Sequence, residues 1–313
     1  MYSLLSGVFL GWSLGANDAS NIFGSAVSSR MVKFRTAALL GSIFVILGAV
    51  TSGQAGIETL KGLTSFNLSQ AVISSVSAAI TITVMTFLGL PVSTSQAVVG
   101  AIIGVGILGN ELNVSGLGKI FICWVTTPVG SAIITIILYK ILAMVYNRLK
   151  ISLFSSDQLL RIGLIVSGSY GAYALGANNL ANITAVFVGA GMLSNFEAAL
   201  IGGGSIAFGI LTFSRPVMET IGKKLVLLDP FSALMVSIAV GVTIHIYTLI
   251  GVPVSSSQAV VGSVLGIGII KGASTVSIQT LKNIVFAWFL TPVVASVIAI
   301  LITFGSYLEY TGK

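Results

Sequence analysis

A chain of 313 residues that is 55% hydrophobic and only 7% charged, with a mean hydropathy of +1.06, falls outside the soluble class, in which about a quarter of residues are charged. A formal charge of +7 in such a chain reflects basic loops on one membrane face rather than a nucleic-acid partner. Cys123 is the single cysteine, which excludes disulfide frameworks and thiolate metal clusters.

A spanning helix needs about 20 apolar residues, so the chain has room for about ten with short loops. The start, Met1-Tyr2-Ser3-Leu4, lacks the basic n-region of a signal peptide and reads as mature chain. Apolar segments are expected near 3–30, 36–53, 70–89, 95–109 and 119–146, then near 160–192, 196–213, 231–250, 257–270 and 283–306. The first of each set is predicted to break, at Gly15–Asp18 and at Gly176–Asn179. The fourth of each set is short for a full span and reads as a half-helix or re-entrant piece.

These two sets are copies of one another. Gly15-Ala16-Asn17-Asp18-Ala19-Ser20-Asn21 returns as Gly176-Ala177-Asn178-Asn179-Leu180-Ala181-Asn182, 161 residues later. Gly89-Leu90-Pro91-Val92-Ser93-Thr94-Ser95-Gln96 returns as Gly251-Val252-Pro253-Val254-Ser255-Ser256-Ser257-Gln258, and over residues 89–106 against 251–268, 12 of 18 positions are identical. Trp124 with Thr127-Pro128 matches Trp288 with Thr291-Pro292. The chain therefore divides into a first repeat at 1–146, a linker at 147–159 and a second repeat at 160–313.

About five crossings per repeat is an odd number, which inserts the second repeat upside down. With the N-terminus outside, twelve of the Lys and Arg residues fall on the inner side and three (Lys61, Lys119 and Lys313) on the outer side. That split follows the positive-inside rule. It places both termini outside a cell membrane and the basic linker in the cytoplasm. The fold class is thus an all-α membrane protein of two inverted-topology repeats with broken or re-entrant helices, about 10–12 helices in all.

The repeated motifs carry the chemistry. In each second motif a Pro ends an apolar run, and three hydroxyl residues with a Gln open the next, the pattern of a capped helix N-terminus. Such an end aims unpaired N–H groups and the positive dipole end at one spot, which suits an anion. Two copies at matching places in two halves point to a transport site. Six hydroxyls and two amides supply neutral donors, which avoids a buried Lys or Arg in the unloaded site. In the first motif a capped kink accounts for the asparagines but not for Asp18. An ionised carboxylate at membrane depth needs a partner, and with no Lys or Arg within a turn that partner is a bound cation. Gly104-Val105-Gly106-Ile107-Leu108-Gly109 reads as close helix packing rather than a dinucleotide fingerprint, and His245 as a satisfied core histidine. Glu58 and Glu219 are matched near segment ends and read as loop or cap residues.

Together the two motif pairs resemble the PiT family of inorganic phosphate transporters, over essentially the whole chain. The resemblance implies about a dozen helices and helical hairpins, a homodimer, and cotransport of phosphate with sodium, or with protons in some members. It implies that Asn17, Asp18 and Asn21, with Asn178, Asn179 and Asn182, bind sodium. It implies that Thr94, Ser95 and Gln96, with Ser256, Ser257 and Gln258, surround phosphate. Asn179 departs from the commoner Asp of this family, which bears on cation stoichiometry, and the large cytoplasmic insert of animal members is missing. A proton-coupled phosphate or sulfate symporter of the same fold is the alternative, followed by a passive anion channel. One His, one Cys and few paired carboxylates leave no acid–base or nucleophile–base set for an enzyme and no cofactor beyond the coupling ions.

Overall fold

The computed structural model describes residues 2–63, 66–87, 92–109, 112–148, 152–224, 228–272 and 278–311. Gly89, Leu90 and Pro91 of the first hairpin motif, together with Lys150 and Lys313, lie outside them. The described residues form eleven helices and no strand. The first half contains α1 (Leu4–Ser28), α2 (Phe34–Ser52), α3 (Gln54–Lys61), α4 (Leu68–Phe87), α5 (Thr94–Gly109) and α6 (Val114–Arg148). The second contains α7 (Leu153–Gly189), α8 (Asn195–Lys224), α9 (Pro230–Leu249), α10 (Ser256–Lys271) and α11 (Ile278–Thr311). Among the described residues seven helices are long and apolar enough to cross a membrane, while α5 and α10 are 16 residues each.

Two sequence expectations need correcting. The predicted breaks at Gly15–Asp18 and Gly176–Asn179 are absent, because α1 and α7 run through them without interruption. The glycines serve close approach instead. A Cβ on Gly15 would lie 2.0 Å from the Ile206 carbonyl oxygen of α8, and one on Gly176 would lie 2.0 Å from the Val45 carbonyl oxygen of α2. The asparagines that follow are therefore mid-helix side chains, not caps. The last span of each half is also longer than the 119–146 and 283–306 expected, since α6 and α11 extend beyond both ends of those segments, and each keeps its Pro, Pro128 or Pro292, inside the helix. Thr127 and Thr291 accompany them by donating to the Cys123 and Ala287 carbonyls at 2.6 Å each, the kind of local adjustment that lets a membrane helix hold a Pro.

Packing repeats when the halves are exchanged. α1 packs on α8 as α7 packs on α2, and α5 on α11 as α10 on α6. Glycines make each contact close. A Cβ on Gly100 would meet the Pro292 carbonyl oxygen at 2.3 Å, and one on Gly262 the Pro128 carbonyl oxygen at 2.1 Å. Gly104 lies as close to Ser296, so the Gly104–Gly109 stretch packs closely at its start, while Ile107, Leu108 and Gly109 are exposed. Small residues permit this backbone proximity where burial against lipid offers no driving force.

Each pair α4/α5 and α9/α10 is a hairpin whose two outer ends lie together. Asn113 N–H donates to the Leu63 carbonyl (2.9 Å) beside the first, and Lys271 pairs with Asp229 across the base of the second. On the approach to α5 and α10, Val92, Ser93, Val252 and Val254 are buried in the protein. Irregular backbone is tolerated at such depth only when protein covers it. His245 is half-buried rather than a core residue, within hydrogen-bonding distance of Tyr170 (Nδ1 to hydroxyl, 2.7 Å). Glu58 is exposed on α3.

Candidate functional site

The inner ends of α5 and α10 are capped as the motifs foretell. Ser93 Oγ accepts the Gln96 N–H and Ser255 Oγ accepts the Gln258 N–H, at 3.3 Å each. The Ala97 and Ala259 N–H groups reach the Ser93 and Ser255 carbonyls. The first-turn N–H groups ahead of them have no acceptor within their own helices. The two hairpins touch at these ends, where Ser95 Oγ donates to the Val254 carbonyl at 2.9 Å.

The asparagines of the continuous helices hold the hairpins in place. Asn17 Nδ2 donates to Thr86 Oγ1 (2.8 Å), and its counterpart Asn178 Nδ2 donates to Thr248 Oγ1 (3.1 Å). Asn178 also accepts the Val254 N–H at 3.0 Å, fixing the second turn. One helical turn further on the bonds cross between halves. Asn21 Nδ2 donates to Ser256 Oγ (2.9 Å), and Asn182 Nδ2 donates to Ser95 Oγ (3.0 Å) and to Asn179 Oδ1 (2.7 Å). Ser257 bonds within its own cap, to Ser255 Oγ at 2.8 Å.

Asp18 lies at the centre of this arrangement and is 1% exposed. Thr94 Oγ1 donates to its Oδ2 at 3.0 Å, and Oδ1 is buried without a partner. Asn182 Oδ1 is a second buried oxygen without a partner, and Asn179 Nδ2 a buried donor in the same state. A carboxylate oxygen and an amide oxygen left over among hydroxyls form a hard donor set suited to a small cation. Among the described residues no three His, Cys, Asp or Glu side chains gather, so such an ion would rely mainly on neutral oxygens.

Gln96 and Gln258 stand apart from the other ten predicted residues. Two positions after Thr94 and Ser256 they face round the helix, at about 100° per residue. There they line a cavity together with Trp124, Trp288, Pro128 and Pro292. Sequence reasoning missed two groups, the Thr86/Thr248 pair and the Val254 backbone carbonyl. Thr86 and Thr248 occupy equivalent places ahead of the two turns, a repeat signal available in the sequence. Ser93 and Ser255, read in the sequence as part of the capping motif, are the caps themselves. The Val254 backbone carbonyl has no side-chain signal at all.

A buried anion-compatible centre, built from two capped hairpin ends inside a many-helix apolar protein, defines a multi-pass membrane transporter rather than an enzyme. The profile of the phosphate transporter family matches residues 14–299, and the chain belongs to that family. It is 30% identical over 299 residues to a protein of Methanocaldococcus jannaschii named as a phosphate permease, covering 96% of this chain and 95% of that one. It is also 30% identical over 296 residues to the sulfate permease CysP of Bacillus subtilis, covering 93% and 83%. In fold it matches a solved structure described as a sodium-dependent phosphate transporter, with a TM-score of 0.86, 24% identity and 98% of each chain covered.

Proposed function

We propose that this chain is a symporter that imports inorganic phosphate with sodium, by alternating access around the meeting point of its two hairpins. The observation that carries the reading is the Asp18 carboxylate, buried beside the two capped helix ends with one oxygen unpartnered. Sodium on Asp18, with Asn17, Asn21, Asn178, Asn179 and Asn182 as further candidate ligands and the Asn182 Oδ1 left unpartnered, supplies the positive charge that the anion site lacks. Phosphate then sits against the first-turn N–H groups and the hydroxyls of Thr94, Ser95, Ser256 and Ser257, with Gln96 and Gln258 closing the far side. Neither ion is stable alone in a buried site, so each favours the other, and that mutual dependence is coupling.

Inverted insertion of the two repeats supports this mechanism. The hairpin bases, the exchanged packing and the distribution of Lys and Arg agree with a second half that enters from the opposite face. The same topology puts both termini on the extracytoplasmic side of a cell membrane, and a homodimer is the assembly we expect. Domain limits of 1–146 and 160–313 follow the repeat.

Sulfate is the second reading, favoured by the similarity to a sulfate permease at the same identity as to a phosphate permease. Uptake of labelled phosphate into vesicles of purified protein, with sodium and pH varied independently and sulfate as competitor, is the deciding experiment. Accumulation that follows the sodium gradient is the expected result. Uptake that ignores sodium and follows the proton gradient, or preference for sulfate, overturns the sodium–phosphate pairing. Equilibration without accumulation indicates a passive channel.

A further inference from the structure

The long helices α6 and α11 each pack on the short helix of the other repeat, α6 on α10 and α11 on α5, with no extensive contact between the two. Gly262 and Gly100 draw those pairs tight, and the hairpin ends touch through Ser95 and Val254. Between α6 and α11 the seam stays open as a cavity of about 480 Å³. Matching residues of the two repeats build it, Trp124 with Trp288 and Pro128 with Pro292.

The lining is almost wholly apolar and carries no charged side chain. Val125 and Phe289 stand at the mouth, 70% and 74% exposed. They continue an exposed apolar surface formed by Ile122 and Val129 on α6 and by Phe286 and Val293 on α11. Both helices are spanning segments, so that surface faces lipid. Depth agrees with this. Trp124 lies ten residues after Val114, where α6 starts, and Trp288 ten residues after Ile278, where α11 starts. At 1.5 Å per residue that is about 15 Å from each helix start, half of a hydrocarbon core of about 30 Å.

Water does not fill such a space. An apolar cavity of about 150 Å³ inside a protein stays dry and takes up benzene, and this one is roughly three times as large. Left vacant, it would deprive its walls of dispersion partners on one side. A charged head would find no partner there. A helix of a second copy, about 10–12 Å across with its side chains, is too bulky for more than about one turn to enter. A single hydrocarbon chain fits, and the medium at the mouth is already hydrocarbon.

We propose that this cavity is a lipid site, in which a membrane lipid inserts one acyl chain between Trp124 and Trp288 and fills the seam between the two repeats. The chain enters past Val125 and Phe289. Occupancy needs neither ion, so the site stands apart from the transport reading above.

The test is quenching of tryptophan emission by brominated phosphatidylcholine in full-length protein carrying Trp12→Phe, which leaves Trp124 and Trp288 as its indoles. The protein is reconstituted into vesicles in which brominated lipid replaces the unbrominated lipid in steps. Trp124 and Trp288 are 7% and 9% exposed, so lipid at the outer surface reaches them poorly while a chain in the cavity touches both. Emission should fall by about half or more in fully brominated vesicles, and further with bromines at mid-chain than beside the carbonyl group. It should fall linearly with the brominated fraction, as one exchanging chain requires. Adding Val125→Phe and Val285→Phe, which fill the space, should remove most of the quenching; if those variants do not fold, the mixing series on the Trp12→Phe protein decides. Weak quenching, a fall steeper than linear that reports several surface lipids, or equal quenching in the filled variant overturns the proposal. Protection that is lost when the protein is diluted in the bilayer assigns this face to a second copy of the chain and overturns it too.

Discussion

Thr94 Oγ1 donates a 3.0 Å hydrogen bond to Asp18 Oδ2, joining the cap of the first hairpin to the middle of the first helix. Through that bond the only buried carboxylate among the described residues is tied to a capped helix end, and its other oxygen has no partner. On the proposed cation site, hairpin position and cation occupancy are linked by this one hydroxyl.

Thr94→Val removes this donor and leaves Asp18 Oδ2 buried without a partner. Hydrogen bonds to charged groups contribute about 1.5–3 kcal/mol, so half-maximal sodium for phosphate uptake should rise by about tenfold or more. Thr94→Ser should keep near-normal sodium dependence. A sodium titration of uptake at fixed phosphate checks both variants.

Asp18→Asn should abolish sodium-driven accumulation while the protein still folds, because an amide preserves the acceptor for Thr94. Calorimetry with sodium in the presence of phosphate would read the site without transport. Unchanged sodium binding in that variant would remove Asp18 from the cation site.

Asn179→Asp converts an unpartnered amide nitrogen into a carboxylate oxygen and keeps the acceptor for Asn182. The internal repeat makes this position the counterpart of Asp18. A second acidic ligand should raise the Hill coefficient for sodium in uptake assays, and one that stays unchanged would show that the two halves are not functionally equivalent.

Gly15→Ala and Gly176→Ala should each destabilise the protein, since the added Cβ would stand 2.0 Å from a backbone oxygen of the neighbouring helix. Overpacking costs about 1–3 kcal/mol when neighbours can give, and here backbone must move. Thermal unfolding in detergent should show both variants well below the parent. Gly118→Ala and Gly204→Ala, which meet nothing within 4 Å, should match it.

The base of the second hairpin has a defined pH response. Burial acts to raise the Asp229 carboxyl, but the hydrogen bond from Lys271 and those from Ser232 outweigh it and hold the group below the ordinary carboxylate value. A depressed folded-state value contributes stability above the unfolded pKa of about 3.9, and that contribution fades as pH falls through the lower folded value. Stability from this pair should therefore be flat between pH 8 and 5 and decline only in stronger acid. Asp229→Asn should remove that part of the acid sensitivity, as read by unfolding midpoints across pH.

Membrane class, the paired motifs and the capped hairpin ends were legible in the sequence because each depends on local order. Apolar run length, the spacing of a repeat, and a Pro followed by hydroxyl residues act within a few turns of chain. Gly15 and Gly176 misled for the same reason. A glycine beside Asn reads locally as a break, yet its meaning was set by Ile206 and Val45, residues from distant helices. Gln96 and Gln258 were grouped with the cap hydroxyls by sequence adjacency, whereas helical rotation turns them toward Trp124 and Trp288.

Alone, the sequence determined that two copies of one unit, each with a capped half-helix and a polar motif, would lie in a membrane. Tertiary structure decided which groups meet: Asp18 with Thr94, Asn21 with Ser256, and Asn182 with Ser95. Local patterns can set what each segment is, because neighbours in the chain supply the physics. Contacts between residues 76 to 235 positions apart depend on how whole helices pack, which no single stretch encodes.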